Sequence, residues 1–194
     1  MPDQEIISAC IKNDKIAKKQ FYEEFYTQLA VIALRYSKSK EQSLEMVQNG
    51  FAALFSNLHK FKPGGKSSIE EWIKEQFIVF CVEFVRNIRS EYYVASTVRV
   101  TDTPAKSYDL FIDSTLTDFK NVEFDVLVKS LQQLVPSQRL IFNLHVVEQY
   151  DLAKAAEILE ASEQTVKANL EKARFNLQKN IDKNNKSLKN EQFV

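Results

Sequence analysis

Apolar residues recur every three or four positions between Asp3 and Ser90, which is the spacing of the buried face of an amphipathic α-helix. Three such stripes predict three or four helices in this half of the chain. A loop with Pro63 and two glycines, 62–68, separates the second stripe from the third, and Ser67 or Ser68 is placed to cap the next helix. The stripes are Phe21, Phe25, Leu29, Ile32 and Tyr36; Leu44, Val47, Phe51, Leu54, Phe55 and Leu58; and Trp72, Ile73, Phe77, Phe80, Phe84 and Ile88.

The helical period is lost between Tyr92 and Asn121. This segment is rich in Thr, Ser and Asp, and Pro104 lies near its middle. Because so long a stretch without regular structure is unusual inside one compact domain, we interpret 92–121 as a linker, with at most a short turn around Phe111. The chain is therefore predicted to hold two small domains, 1–91 and 122–180.

Helical periodicity returns after Val122 in four pieces. The first covers 122–134, and Pro136 opens the second, which runs to about Val147. Asp151 and Ser162 are placed to cap the third and fourth helices, which carry Leu152, Ala155, Ala156 and Leu159, and Val166, Leu170 and Leu177. A three-residue turn between two helices is the spacing of a helix-turn-helix, whose second helix enters the major groove of DNA.

Composition supports an all-α fold of two small helical domains. Three glycines and four prolines are too few for the turns of a protein made of many short strands. The formal net charge is zero and each predicted domain is close to neutral, so nucleic-acid binding would have to come from local patches. Residues 181–194 form a polar tail, rich in Lys and Asn, that we expect to be frayed or disordered.

Catalytic and metal chemistry find no support in the sequence. There is no Gly-rich phosphate loop and no nucleophile beside a base, so we predict neither an enzyme nor a bound cofactor. Cys10 and Cys81 are expected to be buried, reduced thiols, and His59 and His145 have no neighbouring ligands, so no metal is predicted. With no secretory or membrane-spanning segment, we expect a cytoplasmic protein that does not insert into membranes.

The motifs of the second half resemble the C-terminal promoter-binding domain of bacterial sigma-70 family factors, especially the extracytoplasmic-function group. Residues 131–178 carry Val135-Pro136, then Arg139 and Phe142, the "AEIL" and "SEQTVK" steps around the turn, and the closing "KARFNL". The stretch 46–61, "MVQNGFAALFSNLHKF", followed by Trp72 and Arg86, is similar to the N-terminal domain of the same family. The two similarities occur in the order that a small sigma factor requires.

The resemblance implies an adaptor that binds core RNA polymerase and promoter DNA and is controlled by an anti-sigma factor. In the family, the N-terminal domain binds the polymerase and captures the minus 10 element, and the C-terminal domain reads the minus 35 element. The resemblance places polymerase contacts at Glu45, Gln48, Asn49, Phe51 and Phe55. It places DNA contacts at Ser162, Gln164, Thr165, Lys167, Ala168, Asn169, Lys172 and Arg174, with Arg86 and Arg89 in the first domain.

The residue types on the fourth helix suit these roles. Gln164 and Asn169 can make paired hydrogen bonds to a base edge, whereas Lys167, Lys172 and Arg174 suit phosphates or guanine. The helix N-terminus, capped by Ser162, adds donors for a phosphate.

Several residues depart from the family pattern. Asn49 and Gly50 replace an acidic and a branched apolar residue, and a glycine within a helix costs about 1 kcal/mol relative to Ala. Phe77 and Val79 stand where the family has an Ala-x-Asn step, and the basic run after Arg86 and Arg89 is thin, so promoter melting is in doubt. In the second domain, Glu160 and Gln149 replace expected glycines, and Glu171 adds a negative charge beside the face expected to meet DNA.

Three functions therefore remain open. The first is a sigma factor, and the second is a sigma-like interaction protein that has lost promoter melting. The third is a helix-turn-helix regulator that binds duplex DNA without polymerase, which the presence of the first domain disfavours. In a bundle without DNA binding, the fourth helix would be an ordinary surface helix, and Gln48 and Asn49 would be solvated side chains.

Overall fold

A computed structural model describes residues 4–65, 67–88 and 122–191, and these residues form helices with no strand among them. The predicted all-α class is therefore confirmed. The chain divides into two compact units, Met1–Phe84 and Val85–Val194. The predicted linker, 92–121, lies outside the described residues, so the domain boundaries 1–91 and 122–180 stay predictions.

The first unit is a bundle of four helices. They are α1 (Gln4–Ile11), α2 (Lys15–Tyr36), α3 (Lys40–Asn57) and α4 (Ile69–Asn87), with a short 3₁₀ turn at Leu58–Lys60 after α3. The last turn of α4, from Val85 on, belongs to the second unit. As predicted, Ser68 caps α4: its hydroxyl accepts from the Glu71 N–H at 3.1 Å, while the Glu71 carboxylate accepts from the Ser68 N–H at 2.8 Å. The first apolar stripe lies entirely in the core. Cys10 and Cys81 are buried free thiols, and burial raises the pKa of Cys10.

The other two stripes are only partly buried, which corrects the prediction. Leu44 is 56% exposed, although its spacing placed it on the buried face of α3. The buried residues of α4 are Ile73, Phe77, Ile78, Cys81, Val82 and Val85. Of the predicted stripe, Trp72, Phe80 and Phe84 on α4 and Ile88 just after it are only partly covered. A run of apolar residues wider than the contact surface leaves its margins at the solvent, and sequence spacing alone cannot locate those margins.

Gly50 is buried where α3 meets Phe77 of α4. A Cβ atom added at Gly50 would overlap the Phe77 ring and approach Phe80 within 3.2 Å. Phe77 is completely buried and its ring centre lies 6.2 Å from that of Phe80. The glycine thus provides the space that the large aromatic side chain occupies.

The second unit contains the remaining described helices. These are α5 (Phe124–Gln132), α6 (Pro136–Phe142), α7 (Leu152–Leu159) and α8 (Glu163–Glu191), and α6 continues as a π-helical turn over Asn143–Val147. Pro136 stands in the first turn of α6, as its sequence position predicted. Helix α8 packs against α5, α6 and α7. Part of the resulting core is formed by Val126, Leu131, Leu134, Phe142, Ala173, Leu177 and Ile181.

Arg139 is a buried cation within this unit. Its side chain is 2% exposed, and Nη1 donates to the carbonyl oxygens of Gln132 at 3.2 Å and Leu134 at 2.8 Å. Gln132 is the last residue of α5, where helical carbonyls lack partners within the helix, and Leu134 lies in the turn that follows. Arg139 of the sequence motif therefore joins α5 to α6 and has a structural role.

The prediction of a frayed or disordered polar tail is wrong for residues 181–191, which continue α8. Ile181 is 3% exposed and Asn184 4% exposed, so the tail contributes to packing. The Asn184 amide donates to the Ser130 hydroxyl at 2.8 Å and to the Gln133 side-chain oxygen at 3.3 Å.

Asn176 and Asn180, which precede Asn184 by eight and four residues on α8, also donate hydrogen bonds to neighbouring helices. The Asn180 amide donates to the Ser130 carbonyl at 3.1 Å, and the Asn176 amide donates to the Gln138 side chain at 2.9 Å. Since residues four apart share a helix face, the three amides form a polar row along the contact of α8 with α5 and α6. The row, together with buried Ile181, fixes this part of α8 against α5 although the segment lacks strong hydrophobicity.

Candidate nucleic-acid interface

Helices α7 and α8 form the predicted helix-turn-helix. Asp151 caps α7 through a hydrogen bond from the Lys154 N–H at 2.6 Å, and Ser162 caps α8 through one from the Thr165 N–H at 3.1 Å. Both caps agree with the sequence. The Ser162 and Thr165 hydroxyls also lie 2.8 Å apart, so the first turn of α8 is held from two sides.

Two turns of this unit use left-handed backbone at residues other than glycine. Glu160, at the end of α7, has φ 50° and ψ 44°, and Gln149, before α7, has φ 61°. These are the two positions where the family pattern has glycine. Both turns adopt left-handed backbone without a glycine, which costs about 1–2 kcal/mol for each non-glycine residue in this region.

One side of α8 is buried in the domain and the other faces solvent. Val166, Leu170, Ala173 and Leu177 form the buried side. The DNA-contact residues predicted in the first turns, Ser162, Gln164, Thr165, Lys167 and Ala168, are all exposed. The structure thus brings the predicted base-reading and phosphate-binding groups onto the accessible surface of a single helix.

The remaining predicted residues of α8 lie farther along the helix, and two of them lie close to its buried face. Arg174 is exposed, whereas Asn169 and Lys172 are only partly exposed. None of the side-chain polar groups of Gln164, Lys167 and Asn169 bonds to another described residue, so they are available to a ligand. Asn169 stands beside the buried edge of the helix and is less well placed for a base than Gln164.

The basic residues predicted for the first domain are not assembled into a site. Arg86 lies in the last turn of α4 and is partly buried. Arg89 lies outside the described residues. A DNA contact by these two residues stays a prediction.

The residues predicted to face the polymerase divide into two groups. Glu45, Gln48 and Asn49 are exposed on α3. Phe51 is 3% exposed, so its predicted position on the contact surface is wrong; it packs in the core, with its ring centre 4.4 Å from that of Tyr22. Phe55 is partly exposed, and the Lys18 ammonium lies 4.9 Å from the centre of its ring.

Sequence reasoning missed an aromatic pair on α2. Tyr22 and Tyr26 are each 37% exposed, with ring centres 5.2 Å apart. Partial burial raises the pKa of Tyr22, and electrostatic interaction with Tyr26 adds to the effect. The pair stands beside the apolar stripe at four-residue spacing, a pattern that could have revealed it. Exposed tyrosines of this kind are typical of protein-binding surfaces.

Sequence comparison identifies the second unit. Residues 124–177 match the family described as sigma-70, region 4. The second unit therefore contains a domain similar to region 4 of sigma-70 factors. The match begins at α5 and ends within α8, so the last part of α8 extends beyond the region shared with the family.

Two solved structures resemble the chain over most of its length. The sigma factor RpoE from Bartonella quintana, solved with the anti-sigma factor NepR, is 20% identical with a TM-score of 0.52, covering 84% of this chain and 96% of that one. CnrH, solved with the cytosolic domain of CnrY, is 17% identical with a TM-score of 0.46, covering 94% and 98%. The RpoE likeness shows a shared fold. No curated protein matches the chain in sequence at a significant level.

The described part of the chain shows neither a metal-binding cluster nor a membrane-spanning helix. Residues 4–65, 67–88 and 122–191 hold no group of three or more His, Cys, Asp or Glu side chains suited to a metal ion. His145 has a local structural contact, with Nδ1 2.8 Å from the Tyr150 carbonyl. Over the same residues, no helix is both long and apolar enough to span a bilayer.

Proposed function

We propose that this chain is a sigma-70 family sigma factor of the extracytoplasmic-function type, which binds core RNA polymerase in the cytoplasm and directs it to promoters. The observation that carries the proposal is the region 4 domain, in which a capped recognition helix exposes Gln164, Lys167 and Ala168. A helix with these groups at its first turns suits the major groove of duplex DNA. The protein acts as an adaptor and needs no catalytic group of its own.

Region 4 is proposed to read the minus 35 element of the promoter. Gln164 is placed to pair with an adenine edge, and the exposed methyl group of Ala168 suits contact with a thymine methyl. Lys167, Lys172 and Arg174 are placed to contact flanking phosphates, which position the helix without specifying sequence.

The first unit is proposed to bind the polymerase through α3. Glu45, Gln48 and Asn49 supply an exposed polar strip, and Tyr22 and Tyr26 on the adjoining α2 add aromatic area. Aromatic side chains beside polar groups are the composition of a protein-binding surface. The buried Phe51 ring packs against Tyr22 and so holds the tyrosine at this surface.

The decisive experiment is co-elution of the purified chain with core RNA polymerase, followed by competition with a housekeeping sigma factor. We expect a stable complex that the competitor displaces. Glu45→Lys should weaken it, whereas Glu83→Lys, a matched charge reversal at an exposed position on α4, should not. Failure to bind active core polymerase would leave a helix-turn-helix protein that works on duplex DNA alone.

A second candidate function is a sigma-like interaction protein without promoter melting. It is favoured by Phe77 and Val79, because Phe77 is core and neither side chain offers the polar group that the family pattern places at this step. Permanganate reactivity of promoter thymines distinguishes the two. Reactive thymines with polymerase and this chain support the sigma factor, and a bound but unreactive promoter supports the second candidate.

An anti-sigma factor is proposed as a regulatory partner. The fold is shared with RpoE, which was solved in complex with the anti-sigma factor NepR. Such a partner should compete with core polymerase for the chain. Pull-down with the tagged chain, followed by addition of core polymerase, should release the partner; a partner retained alongside the polymerase would argue against this role.

A further inference from the structure

Glu171 stands on the solvent-facing side of α8. It follows Ala168 by three residues and Gln164 by seven, so the three side chains share the helix face opposite Val166 and Leu170. Glu171 is partly exposed, whereas Val166 and Leu170 are buried. A carboxylate at this place is unexpected on a surface that would approach phosphates, since like charges repel.

The Glu171 carboxylate is not occupied by a neighbouring cation. Within the described part of the chain it makes no hydrogen bond and no ion pair, although Lys167 and Lys172 are close to it in sequence. Its hydrogen-bonding capacity is therefore available to a ligand. An ionised carboxylate only accepts hydrogen bonds, so the ligand must present a donor.

The base edges of the major groove discriminate between possible ligands. Cytosine presents its N4 amino group as a donor, whereas guanine presents two acceptors and thymine presents O4. Adenine presents its N6 amino group as a donor, but the neighbouring N7 is an acceptor and repels a carboxylate. A glutamate at this position thus favours cytosine and opposes the other bases, and specificity gains from both effects.

The geometry of α8 lets Glu171 reach the bases near Gln164. At a rise of 1.5 Å per residue, the two residues are separated by about 10 Å along the axis, or about three base-pair steps. Helical side chains lean towards the N-terminus, which brings the carboxylate back over Ala168. Because Ala168 is small, it does not obstruct this path.

We propose that Glu171 is a specificity determinant of region 4 that accepts a hydrogen bond from the N4 group of a cytosine, within about three base pairs of the base contacted by Gln164. Lys167 and Lys172 flank it and hold the phosphates on either side. This inference rests on the proposed function, because it requires α8 to read duplex DNA.

The test is selection of bound duplexes from a library of randomised sequences, using the full chain with and without core RNA polymerase. Wild type is compared with Glu171→Ala and with Glu171→Gln, which keeps the size but loses the charge. Asp182→Asn removes a negative charge farther along the same helix, where Asp182 is exposed, and is the matched control. Binding of individual duplexes with each base pair at the selected position then gives affinities.

We expect wild type and Asp182→Asn to select a cytosine that Glu171→Ala does not. The wild-type preference for that C·G pair should be roughly fivefold to a hundredfold, and Glu171→Gln should shift it towards adenine. A uniform change of affinity for all duplexes would overturn the inference, since it would mean a general charge effect. Selection of no sequence by wild type, with or without polymerase, would refute the proposed function itself.

Discussion

Gly50 and Phe77 show how single residues that depart from the family pattern can belong to one packing contact. A glycine within α3 weakens the helix, and a phenylalanine in α4 is larger than the residue the pattern has there. In the structure, the missing side chain of Gly50 accommodates the Phe77 ring. The departure at Asn49 is separate, because Asn49 is exposed.

Gly50→Ala is expected to lower the free energy of unfolding of the first unit by about 1 kcal/mol. Alanine improves helix propensity by about 1 kcal/mol, but overpacking against Phe77 costs about 1–3 kcal/mol. Urea unfolding followed by fluorescence of Trp72, the single tryptophan, measures this unit. In a Phe77→Leu background the substitution should become neutral or stabilising. A higher free energy of unfolding for Gly50→Ala alone would contradict the proposed overlap with Phe77.

Gln149 and Glu160 show at the same scale that left-handed backbone can occur at residues other than glycine. Gln149→Gly should raise the stability of the second unit by about 0.5–1 kcal/mol, because glycine adopts positive φ without the steric cost. Circular dichroism follows the unfolding, while Trp72 fluorescence should not change. Glu148→Gly is the control, since Glu148 has φ −87° and should gain nothing. Equal gains at 148 and 149 would rule out backbone strain as the cause.

At the scale of the secondary-structure element, α8 is longer than the sequence pattern predicts because polar contacts extend it. Asn184→Ala should destabilise the second unit by about 1–3 kcal/mol, since it removes the hydrogen bonds to Ser130 and Gln133 and leaves the Ser130 hydroxyl short of a partner. Thermal unfolding by circular dichroism is the measurement. Asn185→Ala, at the next and less buried position, should have little effect. Matching losses would mean that the asparagine row is not what orders the tail.

The exposed side of α8 makes a separate prediction about DNA affinity. If Lys172 contacts a phosphate, Lys172→Ala should weaken binding to all duplexes and reduce the slope of log affinity against log salt by about 0.9. Gln164→Ala should instead change preference at particular bases. Titrations of several duplexes at a series of salt concentrations separate the two effects, with Lys183→Ala as the charge control outside the first turns. An unchanged salt slope for Lys172→Ala would exclude the phosphate contact.

At the scale of the whole molecule, the proposed function predicts that two weak promoter contacts on one chain act together. If both domains of the proposed sigma factor bind one promoter, cutting the linker should weaken the polymerase–promoter complex by about 10²–10⁴-fold, because the effective concentration of the second contact is lost. A specific protease site placed within 92–121 permits the comparison before and after cleavage. The two unfolding transitions should stay the same. Equal affinity of cut and uncut protein would show that one domain supplies all of the promoter binding.

The sequence was sufficient to predict the all-α class, the helix-turn-helix and its two caps, because these depend on local spacing and on hydrogen bonds between residues a few positions apart. The same local information placed Gln164, Lys167 and Ala168 on an accessible surface, since Val166 and Leu170 mark the opposite face of the helix. The family resemblance was carried by residues of this kind.

Only the tertiary structure decided which margin of each stripe is buried and which polar residues are structural. Leu44 and Phe51 share an apolar character, yet one is exposed and the other is core, because burial depends on what the neighbouring helix covers. Asn184 and Arg139 have polar side chains whose partners lie outside their own helix, so no periodic pattern identifies them as buried. Local chemistry thus determined the elements, and contacts distant in sequence determined their packed faces.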